Sequence, residues 1–208
     1  MAVFQASLRV NEYAVMVRIR EMLGLGRRFG PFVWRGSPCL FVLSTGRTGT
    51  KTLAKLLSAS PRVDARHEPT PQLYAEGKAA YESLADDPKR FACIVAEARA
   101  RLIAAARLRG QIYAETANRL TYFAPVITTL LNRARFIHLY RHPGGVIRSG
   151  MRRKWYSGAS LDKYRIVPLS DDPRTTYWSK CGSFEKICWY WDAVNSFAAD
   201  FVAMLGPK

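Results

Sequence analysis

Residues 43–53 read LSTGRTGTKTL and hold the types that bind an anion: Gly46 and Gly49, the hydroxyls of Thr48, Thr50 and Thr52, and the cations Arg47 and Lys51. The apolar run CLFVL leads in and a helical pattern leads out. Gly49 lets the backbone approach an anion closely. The N–H groups of Thr48, Gly49, Thr50 and Lys51 are then expected to face outward at a helix start, where the helix dipole also favours negative charge. Arg47 and Lys51 supply fixed positive charge, so the stretch can neutralise a phosphate or sulfate with side chains and needs no metal.

One reading of such a loop is a nucleotide triphosphatase or kinase, whose motif is G-x-x-x-x-G-K-[ST]. Lys51 and Thr52 fit the end of that motif. Thr45 and Thr50 stand where its two glycines belong. A magnesium-binding acid at a nearby strand tip is also expected, and the fourth apolar run ends in Tyr140-Arg141-His142 instead. A P-loop nucleotide or small-molecule kinase is therefore the alternative reading, not the first.

Taken as written, Arg47-Thr48-Gly49-Thr50-Lys51 resembles the 5′-phosphosulfate loop of the sulfotransferases that use 3′-phosphoadenosine 5′-phosphosulfate. A second stretch, FIHLYRHPGGVIRS, strengthens the resemblance. It places Arg141, Pro143 and Ser149 at the spacing with which that family binds the 3′-phosphate, the serine eight residues after the arginine. Arg141 is expected at the carboxyl end of a strand and Ser149 about two helical turns into the next helix. A guanidinium and a hydroxyl can then hold one phosphate from two sides. Glu68 follows Gly49 by nineteen residues, in ARHEPTPQLY. Tyrosylprotein and glycosaminoglycan sulfotransferases have a catalytic Glu near that spacing, so the resemblance implies Glu68 as the base that takes the acceptor's proton. On an extended chain Glu68 shares a face with Arg66 and Asp64 while His67 points the other way; Glu68 is preferred to His67.

The resemblance thus implies catalytic roles for Glu68, Arg47 and Lys51. It implies donor binding by Arg47, Thr48, Gly49, Thr50, Lys51, Thr52, Arg141 and Ser149. The co-substrate would be 3′-phosphoadenosine 5′-phosphosulfate, the product adenosine 3′,5′-bisphosphate, and no metal is called for. The chain also departs from the family. A catalytic Lys often follows the third strand, where this sequence reads YAETANRL; Lys51 or Arg119 could take its place. Glu115 in that stretch is either structural or a contact to a loop cation or the acceptor. Relatives usually continue past the last helix into a further strand and a glycine-containing loop. Beyond Lys208 these would come from a longer chain or a partner, or a minimal enzyme would lack them; a degenerate domain that only binds the donor stays a further alternative.

The elements that must position these residues follow from periodicity. Short apolar runs at CLFVL, RVDARHE, QIYAE and RFIHLY read as strands. Helices are expected at Thr50–Ser58, at 88–109 with a cap at Asp86 or Asp87, through TYFAPVITTLLN, from Pro143, and through SFEKICWYWDAVNSFAADFVAML. Strands alternating with helices predict a three-layer α/β fold. Its centre is a parallel sheet of at least four strands, with ligands beyond the strands' carboxyl ends; the resemblance implies that it is P-loop NTPase-like. Residues 1–37 are expected to form an amphipathic N-terminal helix and linker and residues 38–208 the α/β domain, with truncation at its end left open; residues 154–180 lack periodicity and suit a lid.

The 208-residue chain carries 32 basic and 16 acidic residues, a net charge of +16. The excess is blocked: no acid occurs from Thr116 to Leu161 or from Met22 to Val63. Such fields attract polyanions. No recognition-helix or RNA-binding signature points to nucleic acid. The expected partner is a hydroxyl acceptor, a carbohydrate, lipid or small molecule, with an acidic carbohydrate or lipid left open. Tyr122, Phe123, Trp155, Tyr156, Tyr177 and Trp178 are candidates to line its cleft, although core and rim packing is the preferred reading for most of them. Peripheral membrane contact and assembly with a second copy are left open, and no apolar run approaches the ~20 residues of a membrane span. Cys39, Cys93, Cys181 and Cys188 show no metal spacing and read as free thiols in a reducing cytoplasm, the first two buried.

Overall fold

The computed structural model describes Trp34 and residues 36–206. The expected N-terminal helix at 5–23 lies outside the described residues. Four strands, β1 (Cys39–Leu43), β2 (Val63–Arg66), β3 (Ile112–Glu115) and β4 (Ala134–His138), form one sheet in the order β2-β3-β1-β4. All three pairings are parallel, as a sheet with helical crossovers requires. In the register Leu43 lies beside His138, and Arg66 beside Glu115, so the strand ends finish along one edge. The chain leaves β1 for one side of the sheet and later returns to its other side, which puts the loop after β1 at the switch in strand order.

Six helices connect and flank the strands among the described residues: α1 (Thr50–Ser58), α2 (Tyr74–Ser83), α3 (Pro88–Leu108), α4 (Ala124–Leu130), α5 (Pro143–Arg152) and α6 (Ser183–Leu205). α1 packs against β2 and β3, α3 against β3 and α4, and α6 against β4 and α5. Phe41, Tyr113, Phe91, Ile103 and Phe123 meet in the main core, all essentially inaccessible. Asp87 caps α3 by accepting from the Arg90 N–H at 3.0 Å, with Pro88 in the first turn. No helix of the described residues is long and apolar enough to cross a membrane.

Most expected elements occur where the periodicity put them. The helix through TYFAPVITTLLN is split: Asn118–Phe123 winds as a 3₁₀ turn and only Ala124–Leu130 is α-helical, with Pro125 in its first turn. α2 was not expected from the pattern, because its sequence YAEGKAAYES has little apolar periodicity. It forms where Gly77 permits close contact, since a Cβ there would sit 2.9 Å from the Arg119 carbonyl oxygen. Residues 154–180 are irregular, with three short 3₁₀ turns. All four cysteines are free; Cys39 is buried but Cys93 is partly exposed, unlike the expected buried thiol.

Candidate functional site

The loop after β1 turns on two left-handed glycines, Gly46 at φ 75° and Gly49 at φ 102°, with Arg47 between them also left-handed at φ 59°. Gly49 occupies the cap position of α1 and offers no side chain to the helix's first N–H groups. The first turn of a helix has no internal acceptors for those donors, so they are available to a ligand. The Thr48 hydroxyl is buried and makes no hydrogen bond, as a side chain does when its partner is supplied from outside. Thr50 is buried at the helix start, and Lys51 and Thr52 stand exposed beside it.

The two anion motifs converge. Arg47 Nε donates to the Ser149 hydroxyl at 3.1 Å, and Arg141 Nη1 donates to the Arg47 carbonyl at 3.3 Å. Residues about a hundred positions apart in sequence are therefore joined by hydrogen bonds. Ser149 is buried on α5, while Arg141 is exposed ahead of it. α5 starts where it does because Pro143 opens its first turn and the His142 ring accepts from the Gly144 N–H at 3.2 Å. Partial burial pulls the Arg47 guanidinium below its ordinary value. Arg153, Arg141 and Arg152 push the same way and Glu68 opposes them. Such crowding of guanidiniums is costly unless an anion joins them.

Glu68 lies two residues past β2 with φ 46°. The alternation argument for its direction therefore fails, since the chain has left the extended region. The outcome is nevertheless a carboxylate that acts on Arg47 without pairing to it: among the described residues no ion pair joins the two. His67 turns away, its Nδ1 lying 3.1 Å from both the carbonyl and the hydroxyl oxygen of Thr116. Glu115 is structural. It receives both Arg99 Nε at 2.7 Å and Nη2 at 2.9 Å, and the Tyr113 hydroxyl at 2.7 Å, all buried. Arg99 also donates to the Pro71 carbonyl at 2.9 Å, tying down the segment that carries Glu68.

Arg119 stacks on the Tyr74 ring, its guanidinium carbon 4.2 Å from the ring centre. Of the aromatic residues expected to line a cleft, Tyr122 does so, whereas Phe123 and Trp155 are packed in the core. Sequence reading missed the contribution of α6. Its Tyr190 hydroxyl donates to the Thr45 carbonyl at 2.9 Å, and Trp191 Nε1 donates to the Arg141 carbonyl at 3.0 Å. No local pattern announces such contacts. The convergence of Arg152 and Arg153 was readable, for they lie three and four residues after Ser149 on one helix.

Among the described residues no group of three or more His, Cys, Asp or Glu side chains is placed to hold a metal ion. No curated protein and no solved structure matches the chain. Residues 38–181, from just before β1 to just before α6, match the family model described as the sulfotransferase family. With that match over most of its length and a parallel α/β sheet beneath it, the chain belongs to the sulfotransferase family.

Proposed function

We propose that this protein transfers a sulfuryl group from 3′-phosphoadenosine 5′-phosphosulfate to a hydroxyl of its acceptor and releases adenosine 3′,5′-bisphosphate. The observation that carries the reading is the position of Arg47, bonded through its side chain to Ser149 and through its carbonyl to Arg141. One elongated polyanion can be held along that line, its 5′ end on the Gly46–Thr52 loop and its 3′-phosphate on Arg141 and Ser149. The buried, unpartnered Thr48 hydroxyl supports the same occupant.

Glu68 takes the proton of the acceptor hydroxyl. The acceptor oxygen forms its bond to sulfur as the bond from sulfur to the bridging oxygen breaks, and that oxygen leaves with the nucleotide. Arg47 and Lys51 stabilise the charge that grows on the departing phosphate; such preorganised stabilisation is usually the largest catalytic contribution. The donor-binding set is Arg47, Thr48, Gly49, Thr50, Lys51, Thr52, Arg141 and Ser149. Four unpaired thiols support a reducing compartment, the cytoplasm.

Isothermal titration with adenosine 3′,5′-bisphosphate tests the donor site. Binding by the native protein, weakened at least about tenfold in both Arg47→Ala and Arg141→Ala, is the expected result; each loses a charge-assisted contact worth about 1.5–3 kcal/mol. Unchanged affinity in both variants overturns it.

A further inference from the structure

Beside the glycine loop lies a cleft between α2, the 118–123 turn, residues 164–166 and α6. It adjoins the loop directly. The Asn118 side chain sits 3.2 Å from where a Cβ on Gly46 would be, and Tyr190, which lines the cleft, holds the Thr45 carbonyl. Four tyrosines line it, and its charged lining is three cations, Lys78, Arg119 and Arg165, with no acid.

Two of those cations are engaged. Lys78 lies 3.6 Å from Glu82 and also donates to the Lys163 carbonyl, and Arg165 Nε lies 2.7 Å from Asp162. Among the described residues the Arg119 guanidinium stacks on the Tyr74 ring and has no charged partner. Its Nε is buried with no hydrogen-bond partner, and among the described residues it forms no ion pair. The Tyr122 hydroxyl is a second buried, unpartnered polar group on the same wall. Two orphaned groups lining one cleft is a costly arrangement for an empty space, because each gives up hydration without a partner. Arg carries donors and no acceptor, so the missing partner is an acceptor of hydrogen bonds, and a negatively charged one makes the strongest pair.

We propose that this cleft is the acceptor's anion pocket: Arg119, with the Tyr122 hydroxyl and the Asn118 amide, binds a carboxylate or sulfate borne by the hydroxyl compound that is sulfated. The pocket takes the charged group alone and adjoins Gly46, so the acceptor it holds lies beside the loop where its hydroxyl is to react. This assignment rests on the sulfotransfer reading above, and its test is separable from the test of that reading.

The test uses a matched pair of probes, p-nitrophenyl β-glucuronide and p-nitrophenyl β-glucoside, which differ by one carboxylate. Each is titrated calorimetrically into the full chain, with and without adenosine 3′,5′-bisphosphate. The glucuronide is expected to bind at least about tenfold more tightly than the glucoside, the worth of one charge-assisted hydrogen bond. Arg119→Gln is expected to abolish that difference and leave nucleotide affinity unchanged, and Arg119→Lys to restore part of it. Equal affinity for the two probes, no binding of either, or a preference that persists in Arg119→Gln overturns the proposal. If Arg119→Gln merely lowers the melting temperature while both probes keep their native affinities, Arg119 is a packing residue and the proposal falls. Failure of the nucleotide to bind would sink the donor reading alone, since the arm without nucleotide still reports on the pocket.

Discussion

Arg47 is held in the left-handed region between two glycines, and its side chain and carbonyl join the two anion motifs. Removing the Ser149 hydroxyl takes away the only hydrogen-bond acceptor of its guanidinium among the described residues. Ser149→Ala is expected to weaken adenosine 3′,5′-bisphosphate binding by roughly tenfold, read by titration. Gly49→Ala tests the backbone instead. Open space surrounds the position a Cβ would take, so the cost is conformational, about 1–2 kcal/mol for a residue at φ 102°. A lower melting temperature with weakened nucleotide binding is the expected pair of results. Glu68→Gln is expected to cut sulfotransfer by about a hundredfold or more, the usual worth of a general base, with nucleotide affinity unchanged. At this scale the sequence was informative. Arg47, Arg141 and Ser149 were picked from spacing and resemblance, and the fold brings them within hydrogen-bond reach. The direction of Glu68 was not legible, because a residue at φ 46° past a strand end no longer obeys two-residue alternation.

The strands and the longer helices were legible because each has a period and a boundary residue. Pro88 and Asp87 open α3, and Pro143 opens α5. α2 and the 3₁₀ turn at 118–123 escaped because tertiary contact forms them: Gly77 meets the Arg119 backbone, and Thr121 exchanges hydrogen bonds with Ser44 on the loop. Glu115 shows the same limit. Its place at a strand end could mean catalysis or support, and only α3, which brings Arg99 across to it, decides for support. Removing one partner of a fully buried pair costs about 3–5 kcal/mol. Glu115→Gln is therefore expected to lower the melting temperature by roughly 6–20 °C for a chain of this size. Arg99 also fixes the Pro71 carbonyl on the segment bearing Glu68, so the loss of order should reach the proposed base.

Across the whole molecule the charge is segregated rather than merely high. The acid-free block from Thr116 to Leu161 contains Arg119, which lines the cleft, and Arg141, Arg152 and Arg153, which act on Arg47 in the loop. Nucleotide affinity is accordingly expected to fall as salt is raised from about 0.05 to 0.5 M, because exposed charges are screened over about 10 Å or less. An affinity indifferent to salt would mean that the arginines do not face the ligand. Deep in the core, burial pushes the Cys39 thiol up to about 12, so it should resist alkylation at pH 8 in the folded protein and react once denatured, as read by mass spectrometry. The last helix has a different kind of importance. The family match stops at residue 181, two positions before α6 begins. Yet α6 supplies Tyr190 to the Thr45 carbonyl, Trp191 to the Arg141 carbonyl and Asn195 to His138 at the end of β4. The residues by which relatives are recognised are thus clamped by ones that recognition ignores, and a variant could keep every signature position intact while the Arg47 loop and Arg141 drift apart.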